Sequence, residues 1–196
     1  MKTKEQFVGY KRHEYNPIIR AKTEELLVET LEKLRPKRIL EIGTFIGYSA
    51  ALMLEKCDEC RVVTIEKDTQ NAEDAKTNLV EFGGRVTVNC CDAMEFLKQA
   101  AEEKTEKFDF IFLDGPKGQY IRYLPFLKQI LIVGGVLFVD DVLFYGLVNS
   151  DEKIAHKHRS IVNNLRKFLQ ALKEDEGFET TTYDFEDGVS VSLKIK

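Results

Sequence analysis

A doubly wound α/β fold, with a mostly parallel sheet and an antiparallel hairpin at its end, is predicted by three features of the 196-residue sequence. Short apolar runs alternate with helix-length segments from residue 38 to residue 174. Those runs are nearly continuous, as strands covered on both faces must be. Two β-rich runs close the chain across Glu186-Asp187-Gly188, a turn too short for a crossover helix, so one strand must run antiparallel. With 43% hydrophobic and 32% charged residues, no repeats and no linker, the expectation is one domain, residues 1–196, with a real core.

Each element follows in order. From Pro17 to Leu34, the residues Ile18, Ile19, Leu26, Leu27, Leu31 and Leu34 recur at helical spacing before Arg35-Pro36 closes the segment, a lead-in helix within residues 1–35. Strands are predicted at 38–42, 61–66, 85–90, 108–114 and 135–140. Helices are predicted at 48–56, 69–82, 93–104, 119–131 and 153–174. The closing strands are FETTTYDF at 178–185 and VSVSLKI at 189–195.

The longest apolar run, 130–139, is ten residues, about half of the roughly 20 that a membrane-spanning helix needs. The amino terminus lacks the apolar core and small-residue site of a secretory signal, so a cytoplasmic protein with no membrane partner is expected. Residues 1–22 carry six Lys/Arg against two acids, and 153–167 carry five against none, on a chain of net charge −4. Two basic islands on an acidic body suit either a landing surface for an anionic partner such as nucleic acid, or plain solvated helix faces. Cys57 and Cys60 precede one strand while Cys90 and Cys91 end another. Parallel strands then put the pairs on the order of 15 Å apart, too far for one zinc ion.

Ligands of such sheets bind at the carboxyl ends of the strands. There the first strand gives Glu41-Ile42-Gly43-Thr44 followed by Gly47 and Ser49, the second Glu66, the third Asp92, the fourth Asp114 and the fifth Asp140-Asp141. Glu66, 23 residues after Gly43, is placed to accept from ribose hydroxyls. A dinucleotide would want glycine where Glu41 stands. The cationic sulfonium and ammonium of S-adenosylmethionine instead suit a rim of acids. Asp114, Asp140 and Asp141 are hard oxygen donors suited to Mg²⁺ or another divalent cation, provided the chain turns at 140–141. Lys117, three residues after Asp114, reads as a proton acceptor with its pKa lowered beside a bound cation, or as a lysine on the surface or paired with Asp114. His13, His156 and His158 lie in charged surroundings that make poor ligand sites. Tyr48, Tyr120, Phe144 and Tyr145 could stack on a base or serve as core.

LEIGTFIGYSA, TIEKD, CCDAMEFL, IFLDGPKGQY and VDDVLFYGLV, in this order and spacing, resemble the cation-dependent class I O-methyltransferases of the catechol and caffeoyl-CoA type. Over residues 17–196 this resemblance implies a Rossmann-like class I methyltransferase sheet. KGQY, DDVLFYGLV and the basic helix that follows look nearest to the bacterial tRNA 5-hydroxyuridine O-methyltransferases, which make wobble 5-methoxyuridine. The resemblance implies that Glu41, Gly43, Thr44 and Ser49 hold the methionine part of S-adenosylmethionine and Glu66 its ribose. Asp92 and Ala93 would flank the adenine, with Ile19 as cover. Asp114 would touch both cofactor and metal, Asp140 and Asp141 would complete the metal site, and Lys117 would be the catalytic base beside Asp114. The group usually has Asp-Asn where this chain has Asp140-Asp141, which adds a negative charge. The amino terminus begins late against that resemblance, so an early helix that helps pairing or substrate capture is expected to be shortened.

A tRNA anticodon region is the expected partner, gripped by Lys153, Lys157, Arg159, Arg166 and Lys167, with Lys11, Arg12 and Arg20 adding to them. A homodimer is expected as well. A catechol-type small-molecule transferase is the alternative, since 5-hydroxyuridine and catechol both present two adjacent oxygens. A nucleotide-binding oxidoreductase is opposed by Glu41 and the terminal hairpin. A cofactor-binding module that has lost metal function through Asp141 is a further reading.

Overall fold

The computed structural model describes residues 2–12, 17–103, 107–150 and 153–196; His13 and the last residue of the predicted 93–104 helix lie outside the described residues. Contacts divide the chain into two compact units, Met1–Phe96 and Leu97–Lys196. Among the described residues, seven strands make a mostly parallel sheet with an antiparallel pair at the carboxyl end.

In the first unit, helix α1 (Ala21–Leu34) buries Thr23, Leu27 and Leu31, one face at four-residue spacing. Arg35 ends it in the left-handed region (φ 50°), returning its N–H to the Leu31 carbonyl before Pro36. The helix starts four residues later than Pro17. Ile19 is instead buried, and its carbonyl accepts from Lys4 Nζ at 2.7 Å. Tertiary contacts thus outweigh helix propensity there. The segment before α1 forms two short 3₁₀ turns, Lys4–Gln6 and Tyr10–Arg12, where a helical lead-in was expected.

Strands β1 (Arg38–Ile42), β2 (Arg61–Glu66) and β3 (Val86–Cys90) pair in parallel in the order β3-β2-β1, with Arg38 opposite Arg61 and Glu66 opposite Cys90. Cys60 therefore precedes one strand and Cys90 ends its neighbour. Helix α2 (Tyr48–Lys56) matches its predicted limits. Helix α3 (Thr69–Asn78) is capped by Asp68, which accepts from the Asn71 N–H. It stops short of residue 82, because a 3₁₀ stretch turns the chain at Gly83 (φ 54°).

Helix α4 (Ala93–Glu103) leads into the second unit, which holds β4 (Phe108–Leu113), α5 (Tyr120–Ile130), β5 (Leu131–Val139), α6 (His156–Glu174), β6 (Phe178–Tyr183) and β7 (Val189–Lys194). Strand β5 begins four residues before the predicted start. Its register on β4 jumps between Phe108–Leu131 and Phe110–Val136, and Gly134 (φ 82°) with Gly135 absorbs the irregularity. A Cβ on Gly135 would lie 2.8 Å from Leu131 and 3.0 Å from two carbonyl oxygens. Strand β7 runs antiparallel to both β5 and β6, as the short turn required. Helix α6 buries Val162, Leu165, Phe168 and Leu172, with Phe168 edge-on to Tyr120 at 5.6 Å. No helix among the described residues is long and apolar enough to cross a membrane.

Candidate active site

In the first unit, the carboxyl end of β1 buries an acid among hydroxyls. Glu41 lies inside the strand, fully buried, and accepts from the Thr64 hydroxyl, which shares a second hydrogen bond with Thr44. The turn that follows is tight: Gly43 (φ 101°), Phe45 (φ 48°) and Gly47 (φ 88°) are all left-handed. Gly43 and Thr44 donate to the Ile65 carbonyl, and Gly47, the residue before α2, donates to Thr44. Ser49, half-buried, sits in the first turn of α2.

Glu66 accepts from the Phe45 N–H through one oxygen and from the Asp68 N–H through the other, both at 2.8 Å. Those bonds aim the carboxylate while leaving each oxygen a lone pair for a hydroxyl donor. Asp92 pairs with Lys67 at 2.9 Å and caps α4 through the Met94 N–H, beside Ala93. Lys67, then that N–H, holds its carboxyl below the ordinary range. Of the predicted acidic rim, this member is thus partly neutralised. Ile19 is buried, and Arg20 stands at the amino end of α1.

In the second unit, β4 and β5 bring three carboxylates and one lysine to their carboxyl ends. Leu113 lies opposite Val139, and the Asp140 N–H donates to the Leu113 carbonyl at 3.0 Å. Asp141 turns the chain in the left-handed region (φ 57°), meeting the condition placed on that pair. Asp140 is buried, its Oδ1 accepting from the Asp141 N–H at 2.7 Å. Lys117 Nζ lies 2.8 Å from Asp114 Oδ1 and 2.9 Å from Asp141 Oδ2.

Charge follows from that geometry. Burial, then the negative Asp114 and Asp141, push the Asp140 carboxyl up to about 8. For Lys117, burial lowers the pKa, but Tyr120, Asp114 and Asp141 outweigh it and the net shift is upward. Two carboxylates hold an ammonium here, as the reading of a lysine paired with Asp114 expects; the lowered pKa was expected only beside a bound cation. Tyr120 is fully buried, its hydroxyl 3.3 Å from the Gly115 carbonyl and 3.4 Å from that of Asp140. Burial raises its pKa well above the ordinary value. Sequence reasoning took Tyr120 for a stacking surface or core; its place three residues after Lys117 was the available signal for a role under the cluster.

The O-methyltransferase family model matches residues 7–195. The chain belongs to the O-methyltransferase family. A caffeoyl-CoA O-methyltransferase of Populus kitakamiensis is 28% identical over 171 residues, 84% of this chain and 73% of that protein. A caffeoyl-CoA O-methyltransferase-type protein of Staphylococcus aureus has a structure similar at a TM-score of 0.87, with 26% identity, across 99% of this chain and 93% of the other. The Streptomyces achromogenes O-methyltransferase of tomaymycin synthesis, solved with S-adenosylmethionine, superposes at 0.81, with 27% identity, across 91% and 82%. Their Rossmann-like methyltransferase sheet is the fold of this O-methyltransferase.

Among the described residues of this O-methyltransferase, no three carboxylates, histidines or cysteines converge as a ready cation cage. The donor set nonetheless suits a hard divalent cation. Three carboxylates against one ammonium leave excess negative charge, which the raised Asp140 registers. Gly43, Glu41 and Glu66 likewise suit a cofactor with a cationic centre and ribose hydroxyls.

The basic residues divide. Arg166 donates to the carbonyls of Val148 at 2.8 Å, Ser150 at 2.7 Å and Leu147 at 3.3 Å, and Arg159 to Ile154 at 3.2 Å. Both thereby hold the approach to α6. These two and Lys153, Lys157 and Lys167 are all exposed, but the three lysines are not seen bonded to the backbone in this way. In the first unit, Arg12 is joined to Asp74.

Proposed function

We propose that this O-methyltransferase takes its methyl group from S-adenosylmethionine and places it on one hydroxyl of a small planar acceptor with two adjacent oxygens, of the catechol type. The cluster of Asp114, Lys117, Asp140 and Asp141 at the ends of β4 and β5 carries the part of this reading that asks for two adjacent oxygens. Relatives named for caffeoyl-CoA and for tricin synthesis support the acceptor class. So does the engagement of Arg159 and Arg166 with their own backbone.

S-adenosylmethionine would supply an electrophilic methyl group and leave as S-adenosylhomocysteine, with the acceptor's hydroxyl proton released to water. A divalent cation, held by Asp114, Asp140 and Asp141, would supply Lewis acidity toward the two oxygens. Buried Glu41, fixed by Thr64, attracts the cofactor's positive end, and Glu66, aimed by Phe45 and Asp68, takes the ribose hydroxyls. Ser49, Asp92, Ala93 and Ile19 complete the cofactor contacts in this proposal. Lys117 Nζ, protonated between two carboxylates, donates to a developing oxyanion; it could take the hydroxyl proton only after first giving up its own, and while it stays an ammonium that proton passes to water.

A second reading, methylation of 5-hydroxyuridine in the tRNA anticodon loop, is favoured by exposed Lys153, Lys157 and Lys167 on or before α6, with Arg20 on the first unit. The deciding experiment gives the purified protein, Mg²⁺ and labelled S-adenosylmethionine either a catechol panel or tRNA bearing 5-hydroxyuridine. Label in catechols supports the first reading. Label confined to tRNA replaces it with the second, and label in neither, with cofactor bound, removes both.

A further inference from the structure

We propose that Asp187, on the turn between β6 and β7, is a positioning residue that holds the acceptor-side loop 141–146 in place. This rests on the transferase reading above. After Asp141 the chain reaches two consecutive non-glycine residues in the left-handed region, Phe144 (φ 45°) and Tyr145 (φ 57°), then Gly146 (φ 73°). Bulky aromatic residues adopt such angles only where their surroundings impose them. The turn imposes them here.

The Val142 N–H donates to the Gly188 carbonyl at 3.0 Å and the Leu143 N–H to the Asp187 carbonyl at 2.7 Å. The Tyr145 N–H donates to Asp187 Oδ1 at 3.1 Å. Asp187 is only 9% exposed, so its carboxylate is an internal fixture and not a surface charge. Leu143 fits against Gly188 so closely that a Cβ there would lie 2.2 Å from its Cγ. Three N–H groups after Asp141 are thus held by two residues about forty positions away in sequence.

The loop presents what the turn holds. Tyr145 is 66% exposed, its ring 5.1 Å from Phe144, which meets His158 of α6 edge-on at 5.4 Å. Asp141, one residue before the first held N–H, pairs with Lys117. Asp187 therefore sets both the wall of aromatic side chains and the angle at which Asp141 enters the cluster. A planar acceptor stacks on such a wall.

The test uses Asp187→Ala, Asp187→Asn and Gly188→Ala in the full chain, read by acceptor KM, kcat, S-adenosylmethionine Kd, and hydrogen exchange at the Tyr145 amide. Asp187→Ala should raise acceptor KM and speed Tyr145 exchange, each about tenfold or more, with cofactor Kd within about twofold of wild type. Asp187→Asn keeps an acceptor oxygen and should bring KM back to within about threefold. Gly188→Ala, which pushes Leu143 away, should act like Asp187→Ala. Unchanged KM and exchange in Asp187→Ala would overturn the proposal, as would parallel loss of cofactor affinity and melting temperature without rescue by Asn. Should the Ala variant not fold, the Asn and Gly188 variants decide on the same readouts. Wild-type protein that methylates no acceptor would defeat the transferase reading, while the exchange readout would still judge the turn's hold on the loop.

Discussion

Asp140 is buried beside two other acids, Asp114 and Asp141. Its folded pKa, about 8, lies above the unfolded value near 3.8, so between those limits the folded state binds more protons than the unfolded. Stability of the cation-free protein should therefore fall as pH rises from about 4 to about 8. Asp140→Asn should flatten that slope, and melting curves in EDTA across this range measure it. An unchanged slope would remove the buried-acid account. Lys117 answers the same charge from the other side. Lys117→Met leaves Asp114 and Asp141 without their ammonium and should cost about 3 kcal/mol in EDTA, by denaturant titration. The strand-end acids were legible as single residues because each follows an apolar run. Tyr120, Thr64 and Asp187 were not, since their contacts join positions that only the fold brings together.

Among the elements, the amino-terminal turns and α3 act as one clamp on the β1–α2 turn. Asn78, buried at the end of α3, accepts from the Val8 N–H at 2.8 Å and donates to the Val8 carbonyl at 3.0 Å and the Ile46 carbonyl at 2.9 Å. Phe7 adds an edge contact to Tyr48, whose hydroxyl donates to Glu24. Asn78→Ala should cost about 1–3 kcal/mol, because buried groups lose their partners. It should also weaken S-adenosylmethionine binding, read by calorimetry, because the turn that would hold the cofactor loses a support. Affinity equal to wild type would separate clamp from site. In β5, Gly135→Ala would press a methyl against Leu131 and two carbonyls and should destabilise by about 1–3 kcal/mol in chemical denaturation. Strand and helix positions were readable from apolar runs and spacing. The late start of α1, the early end of α3 and the irregular start of β5 were not, because each is decided by a buried contact or a left-handed glycine.

At the scale of the whole molecule, charge separates the two acceptor readings. Lys153→Glu combined with Lys157→Glu should leave catechol methylation within about twofold of wild type while abolishing any salt-sensitive tRNA binding. A large loss on catechols would assign those lysines to the small-molecule site. Local chemistry by itself determined the α/β class, the single antiparallel strand, the strand-end acids and the O-methyltransferase resemblance. These depend on periodicity, turn length and residue type, all carried by near neighbours in the chain. Only tertiary structure decided that Lys117 is locked between Asp114 and Asp141, that Arg159 and Arg166 serve their own backbone, and that Asp187 reaches the Tyr145 N–H. Ion pairs and hydrogen bonds of that kind require distant segments to arrive within about 3 Å of each other, and no spacing rule encodes that approach.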